Sequence, residues 1–441
     1  MRRSAALLGF FAVAACSGSG SPTTPPPSQP ASVDVAADSV AVRQLASATL
    51  SATVRDAAGH PVAGAAVTWS SARPEIVSVD AAGTLTTGRP GAAWVTASLG
   101  ALRDSVRVRV RPVWTRMAVG HRARVACALS TDGSAYCWGS GAPGELGSFA
   151  TTSQVPLPVD GGHRFGDVAV GFKSACALEL DGTPYCWGDG DSGQLGNGRE
   201  APILSPRAVP GNLHLASIVA GESFYCGLDA AGALYCWGSN HSGELGVDPL
   251  ATEVAAPGRF HPTLTFSSVS AGATHSCGIK LNSGPYCWGT DSQGELGDGD
   301  RTDWRGPTAV PGFFIVRSIG AAAGWSCGID NDGAAGCWGT NFGFSPDGRM
   351  ATSARFASIS PGDGLVCGRT AAGEAWCWTP TTFVTRVATS LTFSRLALGG
   401  QQACGLTAEG DLYCWGPNPS GALGTGDAAD HPTPTRVVDP D

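Results

Sequence analysis

The sequence predicts an all-β protein, most of it one small sheet repeated seven times. Two observations lead there. Gly (62) and Pro (30) are abundant among the 441 residues, while 43% of residues are apolar and only 15% charged. So much Gly and Pro disfavours helix, and so much apolar content excludes a disordered chain. The second observation is the cysteine spacing. Of the 15 cysteines, all but Cys16 fall into pairs with nine residues between partners, and the first members of successive pairs lie 49, 50, 51, 50, 40 and 37 residues apart. Such a period is the mark of a repeat array.

The formal net charge is −8, and Lys173 and Lys280 are the only lysines. No Lys/Arg run exists beyond Arg2-Arg3. This argues against binding a phosphate backbone, so no nucleic acid partner is expected. No apolar stretch reaches the roughly 18 residues of a membrane-spanning helix.

Residues 1–15 read as a signal peptide: Arg2 and Arg3 precede a short apolar run, Ala5 to Ala15. The end of that run, Val13-Ala14-Ala15-Cys16, resembles a bacterial lipobox. The resemblance implies that Cys16 is lipidated and becomes the mature N-terminus, so that the protein meets a membrane through its lipid anchor only. Ser rather than Asp at position 17 points to the outer membrane or cell surface of a two-membrane bacterium. Residues 16–30 continue as a Gly/Ser/Pro-rich tether, flexible at first and stiffened by its prolines.

Residues 31–111 carry short alternating apolar runs with turn residues every 8–12 positions, about seven strands in all, which suggests an immunoglobulin-like sandwich. The stretch from Val67 to Ala97 (VTWSSARPEIVSVDAAGTLTTGRPGAAWVTA) resembles a group 2 bacterial immunoglobulin-like domain, with Trp69 as its core anchor. Such domains serve as stalks or adhesive modules. The segment contains no cysteine, and it reads as a spacer.

From residue 112 to 441 each repeat has the same order. In the second, Val168–Gly171 leads to Cys176-Ala-Leu, then a turn at Asp181-Gly182, then Tyr185-Cys186-Trp187-Gly188, Gly193-Gln194-Leu195-Gly196 and a strand near Pro206–Val209. Four strands per unit, seven times, describe a seven-bladed β-propeller. Six of the seven repeats place Gly six residues after the first Cys, which fits a three-residue hairpin loop ending in a Gly bulge. The fourth is shifted, with Gly284 one position later. Counting outward from such a loop sets the two cysteines of each pair directly opposite one another, within disulfide reach. The expected bridges are Cys127–Cys137, Cys176–Cys186, Cys226–Cys236, Cys277–Cys287, Cys327–Cys337, Cys367–Cys377 and Cys404–Cys414. Zinc is the rival use of paired cysteines, but no close-spaced C-x2-C or C-x4-C knuckle occurs, and export favours oxidation.

The pattern Ala-Leu…Asp-Gly…Tyr-Cys-Trp-Gly…Gly-Glu/Gln-Leu-Gly resembles the repeats of the regulator of chromosome condensation family, a seven-bladed propeller, over residues 113–438. Gly-Glu/Gln-Leu-Gly stands at 144–147, 193–196, 243–246 and 294–297, and becomes Gly-Ala-Leu-Gly at 421–424. The fifth and sixth repeats lose it, around Phe342–Gly348 and Thr379–Val384, which predicts trimmed outer strands or loops there. The C-terminal run from His431 to Val438 is expected to complete the first blade and so close the ring.

No H-E-x-x-H, no P-loop and no G-x-G-x-x-G in a βαβ context occurs, and neither catalytic residues nor a cofactor are expected. His275, beside Cys277, reads as structural. Trp138, Trp187, Trp237, Trp288, Trp338, Trp378 and Trp415 recur once per repeat. Plant UV-B photoreceptors of this fold use tryptophans as chromophores, but tryptophans inside the repeat pattern read as packing. Asp189 and Asp191, and Asp298, Asp300 and Asp303, are weak calcium candidates, because each loop matches only part of an EF-type pattern. Solvated turns are the plainer reading.

Three functions fit these features. The first is a non-enzymatic, surface-displayed module that binds a protein, peptide or glycan of the envelope or exterior through its propeller loops. The second is an inhibitor resembling the secreted propeller that blocks β-lactamases. It predicts an aromatic face, with Phe165, Phe172, Phe224, Phe260, Phe313 and Trp325 as candidates. The third, nucleotide exchange as in the family namesake, is disfavoured by export.

Overall fold

Alternating apolar residues and frequent turns produce strands throughout the computed structural model, which describes residues 29–198, 201–247, 251–303, 305–311, 316–340, 352–382 and 384–440. The signal peptide, Cys16, most of the tether, Phe313 and Phe342–Gly348 lie outside the described residues.

The N-terminal unit is a two-sheet sandwich. Ser39–Arg43, Leu102–Arg111, Gly91–Leu99 and Thr68–Ser71 form one sheet, and Ser47–Thr49, Thr84–Thr87 and Val77–Val79 the other, while Ser32–Val35 pairs with Ala52–Arg55 beside them. Val42, Val95, Val106, Val108 and Val110 from the first sheet meet Leu50, Ile76, Val77 and Leu85 across the interior. Strict alternation in Val106–Val110 buries the valines and turns Arg107, Arg109 and Arg111 outward. Trp69, expected as the core anchor, packs against the core but is not fully buried. It is half-buried, packed between the main core and a smaller cluster around Val33, Val54 and Ala97, because its short strand lies at a sheet edge.

The remainder forms seven antiparallel sheets, one per cysteine pair. In the first, Trp114–Val119, Val125–Ser130, Ala135–Ser140 and Thr152–Pro158 run from the inner to the outer strand. The two middle strands carry the cysteines in direct register, Cys127 opposite Cys137, and the same register holds in all seven sheets. All seven bridges are present, with Cα–Cα separations of 4.0–4.1 Å. The hairpin loops have the expected length. The Ser130 amide donates to Ser134, the Gly133 amide donates back to Ser130, and Gly133 takes φ +82°, which a side chain would resist. In the fourth sheet Asn282 adopts the left-handed conformation instead (φ 59°), which accounts for the displaced glycine.

The fifth sheet has three described strands, and the outer strand of the sixth is only Thr385–Arg386. These are the repeats that lack Gly-Glu-Leu-Gly. Ring closure differs from the expectation. His431–Arg436 pairs with Leu412–Gly416 as the outer strand of the seventh sheet, and the first sheet is completed by its own Thr152–Pro158. Each described outer strand follows its own sheet's third strand in the chain, so none is left to exchange. The seventh sheet meets the first by packing. Trp114, Tyr136 and Trp138 share a core with Leu406, Leu412, Leu423 and Val437, and the Trp114 amide donates to the Gly410 carbonyl.

Candidate functional site

The inner strands of the seven sheets surround a central channel of about 290 Å³, walled by small and aliphatic residues such as Ala118, Ala169, Ala220, Ala271, Gly320 and Ala397. Its two mouths differ. At the end where the first inner strand finishes, the 3-10 turn His121–Ala123 lies across the opening. His121 Nδ1 lies 3.1 Å from Asp363 Oδ1 of the sixth sheet's loop, and Nε2 lies 3.3 Å from the Ala220 carbonyl of the third sheet. The Arg122 amide donates to the other Asp363 oxygen at 2.8 Å, an approach made with Arg122 in the left-handed conformation (φ 62°). The Arg122 guanidinium pairs with Glu222 and sits 4.7 Å over the Phe172 ring. One turn thus ties sheets one, two, three and six across the channel. Burial works to lower the His121 pKa, but the Asp363 hydrogen bond and charge outweigh it and raise the imidazole above its ordinary value. Burial likewise works against the Asp363 carboxylate, yet His121 holds it below the ordinary range.

At the other end, where the inner strands begin, a cavity of about 390 Å³ is lined by Arg116, Asp167, Ser358, Arg369, Ser394 and Arg395. Three guanidiniums here face one carboxylate, on a protein of net charge −8. Arg116 Nε stands 3.9 Å from Asp167 Oδ1. Arg369 donates one Nη1 bond to the Thr370 carbonyl, while its Nε is buried without a partner. Burial, then the adjacent Arg116 and Arg369 charges, lower the Arg395 pKa despite the opposing pull of Asp167. Burial raises the Asp167 carboxyl, and a hydrogen bond from the Ile218 amide only partly offsets it. This is an electropositive recess with donors in reserve, suited to an anionic group. The sequence did not reveal it, because Arg116, Arg369 and Arg395 come from three sheets and only ring closure brings them together.

The sandwich meets the propeller on this same side. Gln44, buried, donates to the Gly88 carbonyl at 3.1 Å and to Asp132 Oδ1 at 3.0 Å, and accepts from the Val113 amide at 3.3 Å. The buried Tyr136 hydroxyl donates to the Pro90 carbonyl at 3.0 Å. Arg43 pairs with Asp411, and Arg111 with Asp439.

Seen one by one, the candidates from sequence fall differently. His275 is buried, its Nε2 2.8 Å from Ser326 Oγ, and burial pushes its pKa down to about 3. The Ser326 hydroxyl donates to the Glu295 carbonyl and is itself sealed from solvent, so this Ser–His contact has no path to a substrate. Five of the seven tryptophans donate to the preceding sheet's Gly-Glu-Leu-Gly loop or its variant: Trp138 to Ala422, Trp187 to Glu145, Trp237 to Gln194, Trp288 to Glu244 and Trp338 to Glu295. Trp378 follows a sheet without that motif, and its indole nitrogen is buried without a partner. The tryptophans are therefore packing and latching groups. Of the aromatic-face candidates, Phe165, Phe224 and Trp325 are buried and Phe260 packs against a core cluster, so these four form no face. Interior positions of twisted strands need large apolar groups, and these strands supply them. Phe172 is half-buried beneath Arg122.

Among the acidic candidates, Asp189 stands 3.7 Å from Lys173 Nζ and Asp191 is exposed beside it. Asp298 and Asp300 instead gather with Asp291, one carboxylate oxygen of each lying within 4.8 Å of the others, and Asp303 Oδ1 accepts the Asp291 amide at 2.6 Å. Asp291 is fully buried, and burial, with the charges of Asp298, Glu295 and Asp300, pushes its carboxyl up to about 7.

Comparison with known proteins agrees with this architecture. The regulator of chromosome condensation (RCC1) repeat matches residues 181–228, 231–279 and 409–441, and a second description of the same repeat matches 216–244. No curated protein matches the chain. Among solved structures, human WBSCR16 superposes with a TM-score of 0.63 at 18% identity, covering 69% of this chain and 94% of its own. Prp20p of Saccharomyces cerevisiae, described with its binding to Gsp1p and histones, gives 0.62 at 19%, covering 70% and 87%. Yeast RCC1 (Prp20) in complex with Kap60 gives 0.60 at 18%, covering 69% and 83%. At these identities the likeness is one of fold. The chain thus carries RCC1 repeats on an RCC1-like β-propeller.

Proposed function

We propose that this protein is a non-enzymatic binding module displayed on the cell envelope: a lipid on Cys16, a tether to residue 30, a bacterial immunoglobulin-like spacer and a seven-bladed propeller head. The observation that carries the reading is the Arg116, Arg369 and Arg395 recess, which offers unpaired donor capacity at one channel mouth while the other is sealed by His121 and Arg122. The partner is an envelope or extracellular protein or peptide that presents a carboxylate or other anionic group to that mouth. Support for a protein partner over a glycan comes from the fold neighbours, since Prp20p is described as binding Gsp1p and histones, and yeast RCC1 as bound to Kap60. The enzyme-inhibitor reading is weaker, because most of the aromatic side chains it would need are in the core. Nucleotide exchange is weaker still for a chain whose N-terminus reads as an export signal.

The test is capture from envelope and culture-medium fractions by the oxidised exported chain, compared with an Arg116→Glu/Arg395→Glu variant, with bound species identified by mass spectrometry. The expected result is a saturable protein ligand that the variant loses while its circular dichroism and disulfide map show it still folded. Equal capture by both would move the site away from this mouth. Retention of polysaccharide alone would make the head a glycan binder. Labelling of the wild type, but not of Cys16→Ala, with a radioactive fatty acid tests the anchor.

A further inference from the structure

We propose that Asp291, Asp298 and Asp300 form a calcium site in the loop after the third strand of the fourth sheet. The argument rests on a comparison the protein makes within itself. The seventh sheet has the same loop, with Asn418 where the fourth has Asp291. In both, the loop amide five residues on donates to the side-chain Oδ1: Leu296 to Asp291 at 2.8 Å, and Leu423 to Asn418 at 3.0 Å. In both, the backbone amide of the same residue donates to an aspartate twelve positions later: Asp291 to Asp303 at 2.6 Å, and Asn418 to Asp430 at 2.7 Å. Two loops with matching anchors place the remaining side-chain atom alike.

That remaining atom differs in chemistry. In Asn418 it is an amide nitrogen, and it donates to the Asp427 carbonyl at 3.0 Å. Asn240 of the third sheet does the same with the Ala251 carbonyl at 2.7 Å. In Asp291 it is an oxygen, buried and without a hydrogen-bond partner, on a side chain with no solvent exposure. The residue matching Asp427 is Asp300, also nine positions on, and the residue matching Thr425 is Asp298. The loop therefore gathers acceptors around an acceptor where its siblings place a donor. A buried carboxylate oxygen with no hydrogen-bond partner, as on Asp291, is costly, and here a carboxylate oxygen of each of the three aspartates falls within 4.8 Å of the others. An all-oxygen, multi-carboxylate set suits calcium rather than a transition metal.

Because the protein itself uses Asn at this position twice, Asp291→Asn is expected to fold. The experiment is calorimetric titration of the metal-stripped, oxidised exported chain with CaCl2 at neutral pH, together with melting curves in CaCl2 and in EDTA, for the wild type, Asp291→Asn and Asp189→Asn. The expected result is one bound calcium per chain and a melting temperature raised by CaCl2, both lost in Asp291→Asn and kept in Asp189→Asn. Wild type that neither binds CaCl2 nor shifts its melting curve would overturn the proposal and leave a proton as the neutralising group on Asp291. Calcium binding that survives in Asp291→Asn would overturn it as well.

Discussion

The indole nitrogen of Trp138 donates to the carbonyl of Ala422 at 2.9 Å, joining the first sheet of the ring to the last. It is the same bond by which Trp187, Trp237, Trp288 and Trp338 reach back to the sheet before them, so closure uses the ordinary inter-sheet latch rather than a shared strand. The last glycine of each motif makes room for it. A Cβ on Gly424 (φ +68°) would lie 2.6 Å from Trp138 Nε1, and one on Gly297 (φ +68°) 2.7 Å from Trp338 Nε1.

This relationship separates two tryptophans that are equally buried, at 1% exposure each. Trp138→Phe removes a buried hydrogen bond and orphans a carbonyl, whereas Trp378→Phe removes an indole N–H that has no partner. Both lose similar apolar volume. Trp138→Phe should therefore cost about 1–3 kcal/mol more than Trp378→Phe in denaturant unfolding. Equal losses would show that the latch contributes nothing beyond packing.

The turn across the channel should respond to pH. His121 has its pKa raised in the fold, so its contribution is complete below about 6.5 and is lost as pH rises through its folded value. Asp363 has its pKa lowered, so its contribution is complete above about 3.9 and is lost as pH falls through its own folded value. The difference in melting temperature between wild type and His121→Gln is expected to be largest between these limits and to shrink on the alkaline side. A difference that stays constant from pH 5 to 9 would count against the ion pair.

The seven bridges each close a loop of 10 residues' separation. The chain-entropy account gives at most about 3 kcal/mol for one such loop. Replacing Cys226 and Cys236 together by Ala should lower the melting temperature by several degrees and leave the other six bridges in place. Peptide mapping without reductant should find crosslinks only between cysteines of one hairpin, and any bridge between sheets would contradict the register.

Between sandwich and propeller, Gln44 serves three partners from a buried position, and Asp132 depends on it. Burial works against the Asp132 carboxylate, but hydrogen bonds from Ser130, Ser134 and Gln44 outweigh it and hold its pKa low. A Gln44→Ala/Tyr136→Phe double variant should loosen the two units, broadening the X-ray scattering distance distribution and separating their unfolding transitions. An unchanged scattering profile would place the junction's rigidity elsewhere.

Much of this was legible beforehand. The repeat, the hairpin register and the cysteine pairing follow from nine-residue spacing and a turn glycine, and the short outer strand of the sixth sheet goes with the lost motif. The functional surfaces were less legible. Alternation within a strand does not say which of the face candidates are core, and Phe165 and Phe224 are. Asp298 and Asp300 were visible as an acidic loop, but Asp291 was not. Its signal was present in the offset it shares with Asn240 and Asn418.

What the sequence determined alone is what depends on neighbours a few residues away: strands, turns, disulfides and the sevenfold period. Backbone geometry and short-range pairing decide these, and they are the same in every repeat. What only the tertiary structure decided is what depends on closing the ring. That includes Arg116 meeting Arg369 and Arg395, His121 crossing to Asp363, and Ala422 receiving Trp138, all joined across more than two hundred residues of chain or across several sheets. Those contacts arise because seven sheets packed around an axis bring repeats far apart in the chain side by side.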